Sequence, residues 1–247
     1  MFKEDRPKFM VVSHERSGTH FLINSISCSF NYSRKSLDLD HTDVNINYYA
    51  SENIRSIFKK LSKVHLANVI KSHHSVDFFN EILEEILNDF NLLYIYRDPR
   101  DVMVSLWKQI RYWNWHEGPK TETVKEFLKS APSGRMMRYQ QHQLPSLLHR
   151  WEHHIRGWMV DADESFRQKV IYVKYEELNS NFNSTIKAIA KQVGIYSFSI
   201  VRPKPSENVV PPVSKGESGG YSEYITSEDD QYIKSMIGRT MNEIGYQ

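Results

Sequence analysis

The stretch K8-FMVVSHERSGTHFLINSISCS-F30 carries the pattern that decides the fold. Its first residues, Lys8–Ser13, form a short apolar run with β-branched side chains, which is typical of a buried strand. A polar turn that contains Gly18 follows, and from His20 onward apolar residues recur at helical spacing. The order of strand, glycine-containing loop and helix predicts backbone N–H groups and a helix N-terminus that face an anion.

The side chains of the loop H14-E15-R16-S17-G18-T19-H20 suit an anion site. Gly18 allows close approach of the backbone, Ser17 and Thr19 add hydroxyl donors, and Arg16 adds a permanent positive charge. A plain helix cap is the alternative, because Ser and Thr are common at that position. The motif GxxxxGKS/T is absent, so the lysine and the magnesium-binding hydroxyl of that motif are missing.

Two further apolar runs, Leu92–Tyr96 and Val170–Val173, predict buried strands. Helices are predicted over Val76–Asp89, Val102–Arg111 and Asn183–Val193, and over most of the segment from Thr121 to Trp158. Short apolar strands that alternate with helices indicate an α/β fold, with a central parallel sheet flanked by helices on both faces. We expect a single domain over 1–247, with ligands at the carboxyl ends of the strands.

The composition narrows the classes of partner. The 247 residues include 32 Lys and Arg against 30 Asp and Glu, so a net charge of +2 predicts neither nucleic acid nor membrane as a partner. The one cysteine, Cys28, excludes an intramolecular disulfide and fits a reducing, cytoplasmic compartment. No apolar run approaches the length of a membrane span. Nothing in the sequence indicates an oligomeric state.

The segment Y94-I95-Y96-R97-D98-P99-R100-D101-V102-M103-V104-S105 is the most specific motif of the chain. Together with R16-S17-G18-T19-H20-F21 it resembles the two phosphate motifs of the cytosolic-type sulfotransferases, which use the donor PAPS (3′-phosphoadenosine 5′-phosphosulfate). In the family's PKSGTTW loop, Arg16 stands at the lysine and Phe21 at the tryptophan. The resemblance implies the P-loop-like nucleotide fold of the sulfotransferases.

The resemblance also implies the residues that hold the nucleotide. Arg97, at a strand end, and Ser105, two helical turns later, are expected on the 3′-phosphate, and a surface ion pair of Arg97 with Asp98 or Asp101 is the alternative. The remaining expected nucleotide contacts are Arg16, Ser17, Gly18, Thr19, His20 and Phe21 in the 5′-phosphosulfate loop, Tyr175 of Y175-E176-E177-L178 near the adenine, and Lys215 and Gly216 in a C-terminal loop.

The C-terminal loop departs from the family pattern at two positions. Ser214 stands where the family has an arginine on the 3′-phosphate, and Tyr221 stands where it has a tryptophan. Lys215 is expected to supply the positive charge in place of Ser214. A further segment, W151-E152-H153-H154-I155-R156-G157-W158, has the family's spacing of Trp and His, so the resemblance covers nearly the whole chain.

The resemblance assigns three catalytic residues. K71-S72-H73 matches the family's KTH, so His73 is the expected general base, a role that suits a side chain which titrates near neutral pH. Arg16 is expected to stabilise the phosphate and sulfonyl oxygens without donating a proton. Lys71 is expected to assist at the sulfonyl oxygens, and a solvated lysine at a strand end is the alternative. No metal is indicated, because the adjacent histidine pairs are poorly spaced for joint ligation.

The implied function is transfer of a sulfonyl group from PAPS to a hydroxyl or amine of a small-molecule acceptor, natural products included, with release of PAP. An ATP-dependent phosphoryl-transfer enzyme and a non-catalytic PAP-binding protein are the alternatives. Mg-dependent ATP turnover would favour the first alternative, and PAP binding without transfer would favour the second.

Two groups of residues are candidates for contacts with the acceptor. Aromatic side chains could line its pocket, with core packing as the alternative, and acidic side chains in a predicted loop could attract a cationic acceptor, with a solvated loop as the alternative. The first group is Tyr48, Tyr49, Trp107, Tyr112, Trp113 and Trp115 with His116, and the second is Asp38, Asp40 and Asp43.

Overall fold

The computed structural model describes residues 6–39, 51–112, 118–204 and 218–247. The strands in this part are β1 (Phe9–Val12), β2 (Ser33–Asp38), β3 (Asn68–Ser72), β4 (Asn91–Tyr96) and β5 (Ile171–Lys174). The α-helices are α1 (Thr19–Phe30), α2 (Ser51–Ser62), α3 (Leu83–Asp89), α4 (Pro99–Tyr112), α5 (Val124–Lys129), α6 (Leu147–Ile155), α7 (Glu164–Arg167), α8 (Tyr175–Ser180), α9 (Phe182–Gln192) and α10 (Ser227–Glu243). A π-helical turn, Arg156–Val160, continues α6.

The five strands are parallel and form one sheet in the order β2-β3-β1-β4-β5. The central strand β1 ends at Val12, which lies opposite Ser72 of β3 on one side and Tyr94 of β4 on the other. The carboxyl ends of these three strands therefore meet at one edge, where the direction of strand addition reverses and where ligands of such sheets bind. The predicted central parallel sheet flanked by helices is confirmed.

The side chains of β1 alternate between two hydrophobic cores. Met10 and Val12 pack with α4, α6 and α10, whereas Phe9 and Val11 pack with α1 and α9, and all four side chains are fully buried. A strand that is buried on both faces consists of a continuous apolar run. This burial explains why β1 and β4 are recognisable in the sequence.

The edge of the sheet differs from the prediction. The sequence analysis placed Asp38 in a loop, but this residue ends strand β2, at the sheet's edge. The strand S33-RKSL-D38 is mostly polar and only partly buried, because an edge strand packs less of its surface against the cores. Its composition therefore lacks the apolar run by which a central strand is recognised.

Two predicted helices also differ from the structure. The segment predicted as a helix over Val76–Asp89 begins with two 3-10 turns, Val76–Phe78 and Asn80–Ile82, and becomes α-helical only at Leu83. Residues 121–158 hold the short helix α5, a 3-10 helix over Gly134–Tyr139 and helix α6. The sequence therefore predicted more helix in this segment than the structure has. Among the described helices, none combines the length and the apolar character that crossing a membrane requires.

Candidate functional site

The loop between β1 and α1 packs its backbone directly against an aromatic ring. Arg16 has a φ of 67° and Gly18 a φ of 99°, both in the left-handed region. A Cβ on Gly18 would lie 2.3 Å from the ring of Tyr175. Only glycine satisfies both the backbone conformation and this close contact.

The hydroxyl groups of the loop have different partners. The Oγ of Ser17 is buried and has no hydrogen-bond partner among the described residues. The Oγ1 of Thr19 lies 2.6 Å from the Oγ of Ser13 at the end of β1. Because buried polar atoms are rarely left without a hydrogen bond, the Ser17 hydroxyl is the loop side chain that best fits contact with a bound ligand.

The two motifs that the sequence separates by about eighty residues meet in space. The Nε of Arg16 donates a hydrogen bond of 2.9 Å to the Oγ of Ser105 in α4. Arg97, at the end of β4, is 4% exposed, and its guanidinium lies 3.2 Å from a carboxylate oxygen of Asp101. The ion pair posed as an alternative for Arg97 therefore exists, but it is buried at the edge of the sheet.

Positive charge dominates this part of the edge. Burial and the nearby charge of Arg97 lower the pKa of Arg16 to about 10, so the guanidinium group of Arg16 stays protonated at neutral pH. Such mutual repulsion is relieved when an anion binds between the cations. The arrangement is suited to a ligand that carries more than one negative charge.

An aromatic wall stands beside the two arginines. The guanidinium carbon of Arg97 lies 4.4 Å from the ring centre of Tyr175, the first residue of α8. Phe21 packs edge-on to Tyr175 at 6.1 Å and lies 6.0 Å from Phe182. Flat apolar faces next to phosphate-binding groups are suited to the base of a nucleotide.

His73 follows β3 and is 8% exposed. Its Nδ1 lies 2.9 Å from the backbone carbonyl oxygen of Ser13, which can only accept a hydrogen bond. Nδ1 therefore carries the proton, and Nε2 carries the lone pair. Burial and the nearby charge of Lys71 hold the pKa of His73 well below its usual value, so the ring is neutral at pH 7. These are the properties of a general base with a fixed tautomer.

Helix α6 supplies a second histidine that supports His73. The Nε2 of His154 lies 3.2 Å from the carbonyl oxygen of His73, so Nε2–H donates to it, and Nδ1 accepts a hydrogen bond of 2.7 Å from the hydroxyl of Tyr94. Burial and the neighbouring His14 and Arg150 hold the pKa of His154 low. The sequence analysis placed His154 in a family-like segment but gave it no role.

Lys71 is buried and paired rather than solvated. Its Nζ lies 2.5 Å from a carboxylate oxygen of Asp38, and the residue is 4% exposed. The alternative of a solvated lysine is therefore wrong, as is the placement of Asp38 in a solvated loop. The charge of Lys71 also contributes to the lowered pKa of His73.

The remaining predicted residues take separate positions. His20 is exposed in the first turn of α1 and acts electrostatically on His73. Trp107 packs against the core, in agreement with the alternative of core packing for the aromatic residues. Tyr112 is exposed. The predicted residues that lie outside the described ranges are Asp40, Asp43, Tyr48, Tyr49, Trp113, Trp115, His116, Ser214, Lys215 and Gly216.

The chain returns to the site after residue 217. The backbone N–H groups of Gly219 and Tyr221 donate to the two carboxylate oxygens of Asp101 at 2.9 and 3.0 Å. The ring centre of Tyr221 lies 4.5 Å from the guanidinium carbon of Arg100. The end of the predicted C-terminal loop thus contacts the turn that carries Arg97. In the described ranges, no group of three or more His, Cys, Asp or Glu side chains is arranged to hold a metal ion.

The comparison with known proteins decides the family. A model described as "Sulfotransferase domain" matches residues 6–245. The chain belongs to the sulfotransferase family. The predicted resemblance is thereby confirmed over nearly the whole chain.

Curated sulfotransferases include distant relatives of this chain. Sulfotransferase 1 family member D1 of Mus musculus is 24% identical over 184 residues, which are 62% of this chain and 57% of the relative. The same protein of Rattus norvegicus is 23% identical over 188 residues, with the same coverage. The alignments therefore span little more than half the length of these sulfotransferases.

Solved sulfotransferase-like structures share the fold. Mouse sulfotransferase SULT7A1 complexed with PAP has a TM-score of 0.65 and 19% identity, with 97% of this chain and 85% of that chain covered. Retinol dehydratase in a complex with retinol and PAP has a TM-score of 0.60 and 16% identity, with coverage of 96% and 82%. At these identities the likeness shows the fold alone.

The variant Gly18→Ala tests the contact between the loop and Tyr175. We expect a loss of unfolding free energy of about 1–2 kcal/mol from the left-handed backbone, with about 1–3 kcal/mol more from overlap with the ring. Gly194→Ala is the matched control, because Gly194 also has a positive φ, of 74°, but open space around its Cβ position. Urea unfolding of both variants gives the comparison, and equal losses would contradict the close packing.

The buried neutral histidines predict an acid-sensitive fold. Burial lowers the pKa of His14, His73 and His154 below the ordinary value of about 6.5, so the unfolded chain binds more protons than the folded one. Their stabilising contribution is fully present above about pH 6.5. As the pH falls below that value, each is expected to cost up to about 1.4 kcal/mol per pH unit.

Urea unfolding at several pH values between 7.5 and 5 measures this acid sensitivity. His154→Gln serves as the comparison, because it removes one of the three groups and should make the slope shallower. A free energy of unfolding that does not change over this range would contradict the burial of neutral histidines.

Proposed function

We propose that this protein transfers the sulfonyl group of PAPS to a hydroxyl or amine of a small-molecule acceptor and releases PAP. The observation that carries the proposal is the meeting of three elements at one edge of the sheet. These are a phosphate loop whose buried Ser17 hydroxyl has no hydrogen-bond partner in the part of the chain that the structure describes, two neighbouring arginines, and a neutral His73 with a fixed tautomer. Membership of the sulfotransferase family supports it.

The residues at the edge fit a nucleotide with phosphate groups at both ends of its ribose. We assign the 5′-phosphosulfate to the loop from Arg16 to Thr19, the 3′-phosphate to Arg97 and Ser105, and the adenine to the wall formed by Phe21 and Tyr175. Lys215 and Gly216 are retained as proposed contacts from the C-terminal loop. His20 is a proposed nucleotide contact by resemblance to the family's loop.

The proposed chemistry is an in-line displacement at sulfur. PAPS supplies a sulfonyl group on a phosphate leaving group. The lone pair on Nε2 of His73 takes the acceptor proton as the acceptor oxygen or nitrogen forms its bond to sulfur, and the bond from sulfur to the phosphate oxygen breaks. The carbonyl of Ser13 holds Nδ1–H and stabilises the imidazolium that forms.

The cationic side chains serve the leaving group. Arg16 remains protonated with a pKa of about 10, so it stabilises the negative charge that develops on the phosphate and does not act as the acid. Lys71 is assigned to the sulfonyl oxygens, with Asp38 holding its ammonium group in place. Pairing with Asp38 directs the ammonium and reduces its net charge.

The class of acceptor is proposed by analogy. Retinol dehydratase has been solved in complexes with retinol and with androsterone, both small molecules. We propose that this chain, too, acts on a small-molecule acceptor. A cytoplasmic location, independence from metal ions, and the lack of nucleic-acid and membrane partners stay predictions from the sequence.

His73→Ala tests the general base. We expect turnover to fall by about 10²–10⁴-fold, because proton removal from the acceptor is lost, while PAP affinity changes little. The assay follows transfer of label from sulfur-labelled PAPS to a panel of phenols, alcohols and amines. His65→Ala, which alters an exposed histidine, is the control. Unchanged turnover, or a large loss of PAP binding, would reject the assignment.

Arg97→Ala tests the 3′-phosphate contact. We expect affinity for PAP to fall by about 10–100-fold, because a charge-assisted contact is lost, and affinity for adenosine 5′-phosphosulfate to change little. Arg111→Ala alters an exposed arginine of helix α4, which follows Arg97 in the chain, and should change neither affinity. Calorimetric titration measures both ligands. An Arg97 variant that still distinguishes PAP from the analogue without a 3′-phosphate as the unaltered protein does would contradict the assignment.

A further inference from the structure

Arg150 of α6 contacts two separate segments although it is only 3% exposed. Its Nε donates to Oε1 of Gln140 at 2.8 Å. One terminal nitrogen lies 2.8 Å from Nε2 of His14, and the other donates to a carboxylate oxygen of Glu15 at 2.8 Å and to the carbonyl oxygen of Met136 at 3.4 Å. Every nitrogen of the guanidinium group therefore has a partner.

On one side, Arg150 holds the start of the phosphate loop. A guanidinium group only donates hydrogen bonds, so Nε2 of His14 is the acceptor, and Nδ1–H of the same ring donates to the carbonyl oxygen of Glu15 at 3.0 Å. Burial and the charge of Arg150 also lower the pKa of His14, which keeps this ring neutral. One side chain thus fixes two consecutive residues just before Arg16.

On the other side, Arg150 holds a segment that packs against the proposed base. Met136 belongs to the 3-10 helix Gly134–Tyr139, and Gln140 follows it. The ring of Tyr139 lies edge-on to His73 at 5.6 Å, and the carbonyl of Tyr139 accepts a hydrogen bond from the backbone of Ser75 at 2.9 Å. Arg150 therefore connects the loop for the donor with the surroundings of the base.

The ion pair of Arg150 with Glu15 also determines the net charge beside the phosphate loop. Glu15 is the direct neighbour of Arg16, and its second carboxylate oxygen is buried without a hydrogen-bond partner among the described residues. A buried carboxylate that loses its cation is strongly destabilised and repels anions nearby. Pairing with Arg150 neutralises this carboxylate, so the charge of Arg16 stays available to an anionic ligand.

We propose that Arg150 is a positioning residue that acts through His14 and Glu15 to hold the phosphate loop in register with His73 and to neutralise Glu15. This role rests on the proposed function. It predicts that Arg150 affects ligands through their 5′-phosphate, which the loop holds, and not through their 3′-phosphate, which is assigned to Arg97 and Ser105.

Two ligands that differ in the 5′-phosphate separate this role from general damage. The variant Arg150→Met is titrated calorimetrically with PAP and with adenosine 3′-phosphate. We expect PAP affinity to fall at least about tenfold and affinity for adenosine 3′-phosphate to change less than about twofold. Adding Glu15→Gln to Arg150→Met removes the uncompensated carboxylate and should restore part of the PAP affinity.

The controls keep the result decisive. Arg156→Met alters a nearby arginine whose partners, Asp161, Glu243 and Thr240, all lie outside the phosphate loop, and it should change neither affinity. If Arg150→Met does not fold, Arg150→Lys supplies the same comparison, because lysine keeps the charge beside Glu15 but cannot replace all the guanidinium contacts with both segments. The expected result for Arg150→Lys is a smaller loss that is again confined to PAP.

Two results would overturn the role of Arg150 alone: equal losses for both ligands, or unchanged PAP affinity in a folded variant. Failure of the unaltered protein to bind PAP would overturn the proposed function and this role with it. The two failures are therefore distinguishable in one set of titrations.

Discussion

The burial of Arg16 next to the charge of Arg97 is the constraint on which the site depends. Burial of positive charge is unfavourable unless it is paired, and the shared environment already lowers the pKa of Arg16 to about 10. One carboxylate, that of Asp101, contacts Arg97, and the hydroxyl of Ser105 contacts Arg16. Glu15, which stands beside Arg16 in the chain, is held by Arg150. The charge of Arg16 thus stays available to an anionic ligand.

The nearby histidine side chains, in contrast to the charged arginines, are neutral. His73 and His154 each have a lowered pKa, and each is held in one tautomer by a backbone carbonyl oxygen. A neutral imidazole can accept a proton from an acceptor, whereas the arginines can only stabilise negative charge. The carboxyl edge of the sheet therefore carries the proposed base and the groups proposed to stabilise the leaving group at separate positions.

The presence of uninterrupted runs of apolar residues determines which parts of the fold could be predicted from the sequence. Strands β1 and β4 are buried on both faces, so their runs of apolar residues are visible, and the loop after β1 carries a recognisable motif. Strand β2 lies at the edge, and its polar composition concealed both the strand and the contact of Asp38 with Lys71. The 3-10 turns after His73 depend on tertiary packing, which the spacing of apolar residues in the local sequence does not reveal.

The residues of the site likewise divide into those that a local sequence motif reveals and those that only the fold brings together. Arg16, Arg97 and His73 were predictable because each lies in a motif that resembles a family pattern. The pair of Arg150 with Glu15 joins residues 135 positions apart. The hydrogen bond of His154 to Tyr94 spans 60 positions. No periodicity or local motif relates such residues, and only the folded chain brings them together.

Calorimetric titration with PAP, with adenosine 5′-phosphosulfate and Mg-ATP as comparisons, tests the proposed donor most directly. Tight binding of PAP that requires the 3′-phosphate and does not require magnesium is the predicted result. Preference for Mg-ATP over PAP would contradict it and would indicate phosphoryl transfer instead.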